Sequence, residues 1–326
     1  MGFVGPLYAN SKMTTAFITH RDCWRHDMGA HHPECPERLG AIQDRLIAAG
    51  LDLYLSFHDA PVAQLEQLLR VHPKSYIDSL YASSPESGIV HLDPDTAMSP
   101  GTLQAALRAA GAGVMATDLV MRKEAPHAFC AVRPPGHHAE RTKAMGFCFF
   151  NNIAVAARHG IEAWGLKRVA VIDFDVHHGN GTEDIFAGDE RVLMVGSFQH
   201  PFYPYSGTEH PAPNMCNVPL KAGTRGDAFR EIVSEVWMPR LREFAPELVY
   251  ISAGFDAHYE DDMGSLGLVE SDYAWVTGQL KEIADQSAQG RIVSMLEGGY
   301  SLSALARSVS AHIKVQIGRA SCRERV

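Results

Sequence analysis

Short apolar runs recur along the chain at Thr15–Thr19, His127–Val132, Val169–Phe174, Val192–Ser197, Leu248–Ala253 and Ile292–Met295. Each is too short for a helix, and together they predict buried strands. Between them the apolar positions follow a helical period. Glu37–Ala49 places Leu39, Ile42, Leu46 and Ile47 inward and ends at Gly50, as an amphipathic helix does. Val62–Val71 and Pro73–Ala82 predict short helices, and the Ala- and Leu-rich Gly101–Met121 a buried one. Gly111 and Gly113 inside it predict close packing against a neighbour. Ile153–His159, Ala228–Phe244, Tyr273–Ala288 and Leu302–Val315 complete the helices, while the prolines of Gly88–Pro100 predict a loop. Strand alternating with helix implies a mainly parallel sheet covered on both faces, an α/β fold. Ligands of such sheets bind beyond the carboxyl ends of the strands.

The polar clusters fall at those ends. In Val169–Thr182, VAVIDFDVHHGNGT, the apolar strand stops at Asp173, Asp175, His177 and His178, before a Gly179-Asn180-Gly181 turn. Side chains alternate along an extended strand, so Asp173, Asp175 and His177 are expected on one face. Two carboxylates and an imidazole converging at a buried strand end call for a cation. Oxygen plus imidazole donors suit Zn²⁺ first, with Fe²⁺, Mn²⁺ and Co²⁺ as substitutes. A plain polar loop is the blander account, but four titratable residues in six are many for one. His137-His138, after the Arg133-Pro-Pro-Gly turn, suits an acid/base pair beside a metal. Asp256 adds a third strand-end acid, and Gly298-Gly299 present Tyr300 on a tight turn.

Other candidates have weaker patterns. Gly146-Phe147 in MGFCFFNN is either core or the wall of a narrow slot, and PFYPYSG supplies Phe202, Tyr203 and Tyr205. Asp93 and Asp95 are helix caps or substrate contacts, and spacing favours capping. His31, His32, Glu34 and Cys35 could form a second metal site, but Pro33 and Pro36 favour a stiff loop leading into a helix.

Composition narrows the function classes. The 326 residues are 46% hydrophobic, enough for one large domain or two modest ones. A formal charge of −9 argues against a broad nucleic-acid surface and is compatible with cationic substrates. No 18-residue apolar run and no basic-then-apolar leader occur, so neither a membrane span nor a secretory signal is expected. Cys23, Cys35, Cys130, Cys148, Cys216 and Cys322 form no CxxC pair, which suits reduced thiols in a cytoplasm. Residues 1–12 read as a non-native leader, and 317–326, IGRASCRERV, as an artefactual tail resembling translated sequencing adapter, so Cys322 carries no functional weight.

RPPGHHA, GFCFFNN, DFDVHHGNGT, SAGFDAH and EGGY, in this order, resemble the histone deacetylase and acetylpolyamine amidohydrolase superfamily, nearest its bacterial class II-type members. The resemblance spans residues 13–318, read as a single catalytic domain, and implies the arginase-deacetylase fold, a three-layer αβα sandwich. It implies zinc on Asp175, His177 and Asp256, with an open position for water and a substrate carbonyl. It implies His138 as general base, His137 as its electrostatic partner, Asp173 bonded to His137, and Asn180 beside His138 where class I enzymes carry aspartate. Tyr300 would donate to the developing oxyanion. Main-chain oxygens of Asp173, Asp175, His177, Ser197 and Phe198 would hold a structural K⁺. An aliphatic tunnel would run past Gly146 between Phe147 and Tyr203, with Phe202 the alternative register. Asp93 or Asp95 would hold the substrate backbone, and Arg38 would line the product channel.

The implied reaction is removal of acetyl or related acyl groups from lysine side chains of proteins or peptides. The alternative is deacetylation of polyamines or other small acyl-amines, disfavoured because no PEACE-type segment or dimer-closing insertion occurs. Two other classes share the scaffold: a two-manganese ureohydrolase, which needs more bridging carboxylates, and a non-catalytic acyl-binding module, which would not need both histidines and Tyr300.

Overall fold

In the computed structural model, residues 14–318 are described. Residues 1–12 and Cys322, with the tail from residue 319 onward, lie outside them. Eight strands form one sheet: β1 (Thr15–Thr19), β2 (Leu55–Asp59), β5 (His127–Cys130), β6 (Val169–Asp173), β7 (Val192–Gln199), β8 (Met215–Leu220), β9 (Leu248–Ala253) and β10 (Ile292–Leu296). Their order is β2-β1-β5-β10-β9-β6-β7-β8, and every pairing within it is parallel. The remaining two strands, β3 (Val90–Asp93) and β4 (Thr96–Met98), form a separate antiparallel hairpin.

Helices cover both faces. On one lie α4 (Thr102–Met121) and α5 (Asn152–Trp164), packed on each other. On the other, α1 (Glu37–Ala48), α9 (Glu270–Ser287) and α10 (Leu302–Gln316) pack together. The smaller α2 (Leu65–Leu69), α3 (Lys74–Ser83), α6 (Asn180–Phe186), α7 (Gly226–Ile232) and α8 (Met238–Phe244) fill the rim. A π turn, Val233–Trp237, joins α7 to α8, so Ala228–Phe244 is helical throughout. This is the three-layer αβα sandwich expected. Strands buried on both faces explain the uniform apolar runs; every residue of β6 and β9 is buried.

Several local expectations are corrected. Gly88–Pro100 is a hairpin, because its prolines flank or turn the strands without interrupting them. Ile47 is 62% exposed, one position off the inward stripe of α1. Val62–Val71 keeps a helix only at α2. The edge strands β2 and β8 escape the apolar-run signal: β2 is buried only at Leu55 and leaves Phe57 exposed, and β8 carries Pro219, which only an edge strand tolerates. Asn180 and Gly181 are not a turn but the first residues of α6.

The glycines of α4 do set its approach. A Cβ on Gly111 would lie 2.0 Å from the Pro61 carbonyl oxygen. Gly111→Ala is therefore expected to cost about 1–3 kcal/mol in denaturant unfolding. Gly278→Ala in α9, where nothing stands within 4 Å of the added carbon, should instead stabilise by about 0.5–1 kcal/mol.

Candidate active site

The strand β6 ends at Asp173 because its own side chains take over the backbone. Asp173 Oδ1 accepts the Asp175 N–H at 3.1 Å, and Asp175 Oδ1 accepts that of His177 at 2.9 Å. These consecutive Asx-type bonds coil the segment, so the alternation expected from an extended strand is lost. Asp173 therefore does not converge with Asp175 and His177. Its place is taken by Asp256, from the loop after the neighbouring β9: donor atoms of Asp175, His177 and Asp256 all lie within 4.8 Å of one another.

All three are buried. Asp256 Oδ1 accepts the Val176 N–H at 2.8 Å, while its Oδ2, 3.2 Å from His177 Nδ1, has no hydrogen bond. Asp175 Oδ1 lies 3.0 Å from the same Nδ1. Burial and the facing Asp175 charge push Asp256 up to about 7. Burial opposes a charged His177, but the facing Asp175 and Asp256 carboxylates outweigh it and draw the imidazole up to about 10. The pocket thus seeks positive charge, and two carboxylates with one imidazole fit a divalent cation. Among the described residues no second such cluster exists. His31, His32, Glu34 and Cys35 form a loop: Glu34 is engaged by Arg133, Arg38 and His26, and His32 stands edge-on to Phe147.

The tandem histidines lie beside this cluster, their ring centroids 4.1 Å apart. His137 Nδ1 is 2.9 Å from Asp173 Oδ2, and His138 Nδ1 is 2.7 Å from Asn180 Oδ1. Burial disfavours charge on both. At His137 the Asp173 and Asp175 carboxylates overcome it and raise the imidazole well above its usual range. At His138 burial, reinforced by His137 and His177, drives it well below. Neighbouring rings are thereby pushed in opposite directions, the pattern of an acid/base division. Beneath them sits Glu297, fully buried, accepting the Gly136 and His137 amides at 2.7 and 3.1 Å and the Ser252 hydroxyl at 3.0 Å.

Tyr300 follows Gly299, whose φ of +116° suits glycine. Its loop is held on every side. Gly298 N–H donates to Asp175 Oδ2 at 2.9 Å; Arg38 donates to the Gly299 carbonyl at 2.7 Å and stands 5.0 Å over the Tyr300 ring. Asp261 Oδ2 accepts the amides of Tyr300 and Ser301 at 2.6 and 2.9 Å. Neither Asp261 nor the role of Glu297 is legible in the sequence, since their partners are far away in the chain.

Around the mouth, Phe147 stands edge-on to Tyr300 at 6.0 Å, Tyr203 edge-on to His138 at 5.3 Å, and Phe202 stacks on His177 at 5.4 Å. Asp93 and Asp95 cap no helix. Asp95 Oδ1 accepts the Gly146 amide at 3.1 Å and Thr96 Oγ1 accepts that of Phe147 at 3.1 Å, clipping the wall to the hairpin. Asp93 lies 3.8 Å from Lys143. Ser197 and Phe198 lie on β7 beside the Asp173–His177 segment, with Asp173 in register with Gly196.

The family model described as histone deacetylase domain matches residues 32–316. The chain is 35% identical over 302 residues to a probable deacetylase of Archaeoglobus fulgidus, covering 89% of this chain and 82% of that protein. It is 37% identical over 311 residues to a histone deacetylase-like amidohydrolase of Pseudomonas aeruginosa, covering 88% and 82%. Among solved structures, the HD domain of HDA15 superimposes with a TM-score of 0.88 at 32% identity, over 95% of this chain and 91% of that one.

Removing the clasp on the tyrosine loop is measurable directly. Asp261→Ala should speed hydrogen exchange at the Tyr300 and Ser301 amides by about tenfold or more, the loss of roughly 1.5–3 kcal/mol from charge-assisted bonds. Unchanged protection at both amides would show the loop to be held without it.

Proposed function

The chain belongs to the histone deacetylase domain family, and on that premise we propose a zinc-dependent amidohydrolase that removes acetyl or related acyl groups from lysine side chains of proteins or peptides. Its main support is the meeting of Asp175, His177 and Asp256 within 4.8 Å, beside a histidine pair driven to opposite protonation. Asp256 Oδ2, buried without a hydrogen bond, is the donor such an ion would satisfy. Fe²⁺ or Co²⁺ would serve in the same donor set. A divalent ion held there supplies Lewis-acid polarisation of a water and of the acyl carbonyl.

The chain's own residues carry the proton. His138, neutral by burial, takes a proton from the attacking water at its free ring nitrogen as oxygen adds to the carbonyl carbon. His137, kept cationic by Asp173, stabilises the charge that develops next to it. Tyr300 donates its hydroxyl hydrogen to the carbonyl oxygen as that oxygen becomes anionic. When the C–N bond breaks, the proton passes to the departing nitrogen, leaving a free amine and a carboxylic acid, whose own proton then passes to the amine to give an ammonium and a carboxylate. Phe147 and Tyr203 would flank an aliphatic stem, which long amine side chains bury readily, with Gly146 leaving room beside His138. A Cβ there would meet the His138 ring at 2.3 Å. Arg38 holds the Tyr300 loop from behind, where a product channel would run. Main-chain oxygens of Asp173, Asp175, His177, Ser197 and Phe198 would hold K⁺ at the base of the loop. Residues 13–318 would act as one catalytic domain.

Wild-type protein should turn over a fluorogenic acetyl-lysine peptide, lose that activity to a chelator, and regain it with Zn²⁺. Tyr300→Phe should lower kcat by roughly 100-fold or more, the usual worth of an oxyanion donor, and Asp175→Ala should abolish turnover. Acetylated putrescine and spermidine in the same panel decide between lysine and small amines. Full turnover after metal stripping would overturn the proposal, and acyl-lysine binding without turnover would make the chain a binding module.

A further inference from the structure

Asn180 has every polar atom of its amide engaged. Oδ1 lies 2.7 Å from His138 Nδ1, while Nδ2 donates to Glu140 Oε1 at 2.8 Å and contacts Met145 Sδ at 3.3 Å. An ionised carboxylate and a thioether can only accept hydrogen bonds. Turning the amide over would therefore set its carbonyl against two acceptors. The carbonyl must face His138, and the hydrogen between them must sit on Nδ1. The other ring nitrogen, Nε2, then carries the free lone pair. The family resemblance singles out Asn180 by the place it implies beside His138, but not Glu140, four residues beyond Gly136 at the exit of a loop.

We propose that Glu140 is a positioning residue for the hydrolysis, acting through Asn180 to hold His138 in the tautomer whose Nε2 accepts the proton of water. The two histidines are thus oriented by different means. His137 has its carboxylate in direct contact, at 2.9 Å, whereas His138 meets a carboxylate only through an interposed amide. The amide gives direction to the bond, and Glu140 gives direction to the amide. This rests on the assignment of His138 as the base.

The test is a cycle of variants assayed for kcat and KM on an acetyl-lysine peptide in zinc-loaded protein, each checked for folding by thermal unfolding. Glu140→Ala should lower kcat by about tenfold or more, part of the roughly 10²–10⁴ a general base supplies, with KM within about twofold. Asn180→Asp alone sets two acceptors face to face and should lower kcat at least as far. Adding Glu140→Gln to Asn180→Asp supplies a donor again and should recover most of that loss, which a purely structural role would not do. Nitrogen NMR of the His138 ring should show Nδ1–H in the wild type and a mixture of tautomers in Glu140→Ala. A double variant no better than Asn180→Asp, or Glu140→Ala with wild-type kcat and tautomer, overturns the proposal while leaving the base assignment standing. His138→Ala with wild-type turnover would overturn both.

Discussion

Two carboxylates withdrawn from water, Asp175 and Asp256, are the constraint on which the rest of the site depends. Placing such groups side by side in a buried pocket costs several kcal/mol unless positive charge joins them. His177 answers part of that demand by drawing charge onto its ring, and Asp256 answers another part by resisting ionisation. Neither response removes the cause, because both carboxylates stay fully buried. A pocket whose only economical resolution is a multivalent cation is poorly suited to a structural role. It is well suited to hold a Lewis acid at the end of a rigid sheet.

The rigidity comes from strand-end carboxylates that hold the loops after other strands. In the order β5-β10-β9-β6, Glu297 after β10 takes the amides of Gly136 and His137 after β5. Asp175 after β6 takes the amide of Gly298, Asp256 after β9 takes that of Val176, and Asp261 takes those of Tyr300 and Ser301. Gly298 is required where these loops meet, since a Cβ would lie 2.1 Å from Asp256 Oδ2. The groups to which the proposed mechanism assigns one carbonyl are thereby fixed to one another and not merely near one another, the condition for catalysis by positioning.

Much of this was legible in the chain. β1 and β9 begin and end where their apolar runs do, and His137-His138, Asp175, His177, Asp256 and Tyr300 all lie just past strand ends. What escaped is what depends on distant partners or on side chains rewriting the backbone. Strand periodicity grouped Asp173 with Asp175, but the Asx bonds that end β6 turn Asp173 toward His137. Prolines suggested a loop where β3 and β4 form a hairpin that clips Gly146 and Phe147. Glu297, 161 residues from Gly136, enters the sequence reading only as part of EGGY, and Glu34, 99 from Arg133, only as a weak second-metal candidate in a stiff loop. Nothing in their immediate sequence marks them as buried.

Metal binding to chelator-stripped protein, followed by calorimetry in buffers of different ionisation enthalpy, probes the buried pair most directly. One divalent ion per chain should bind with release of protons, as ligands that hold protons in its absence give them up, and Asp256→Asn should weaken that binding by orders of magnitude. A chain that binds no ion, binds two, or binds one equally well without the Asp256 carboxylate would contradict the account.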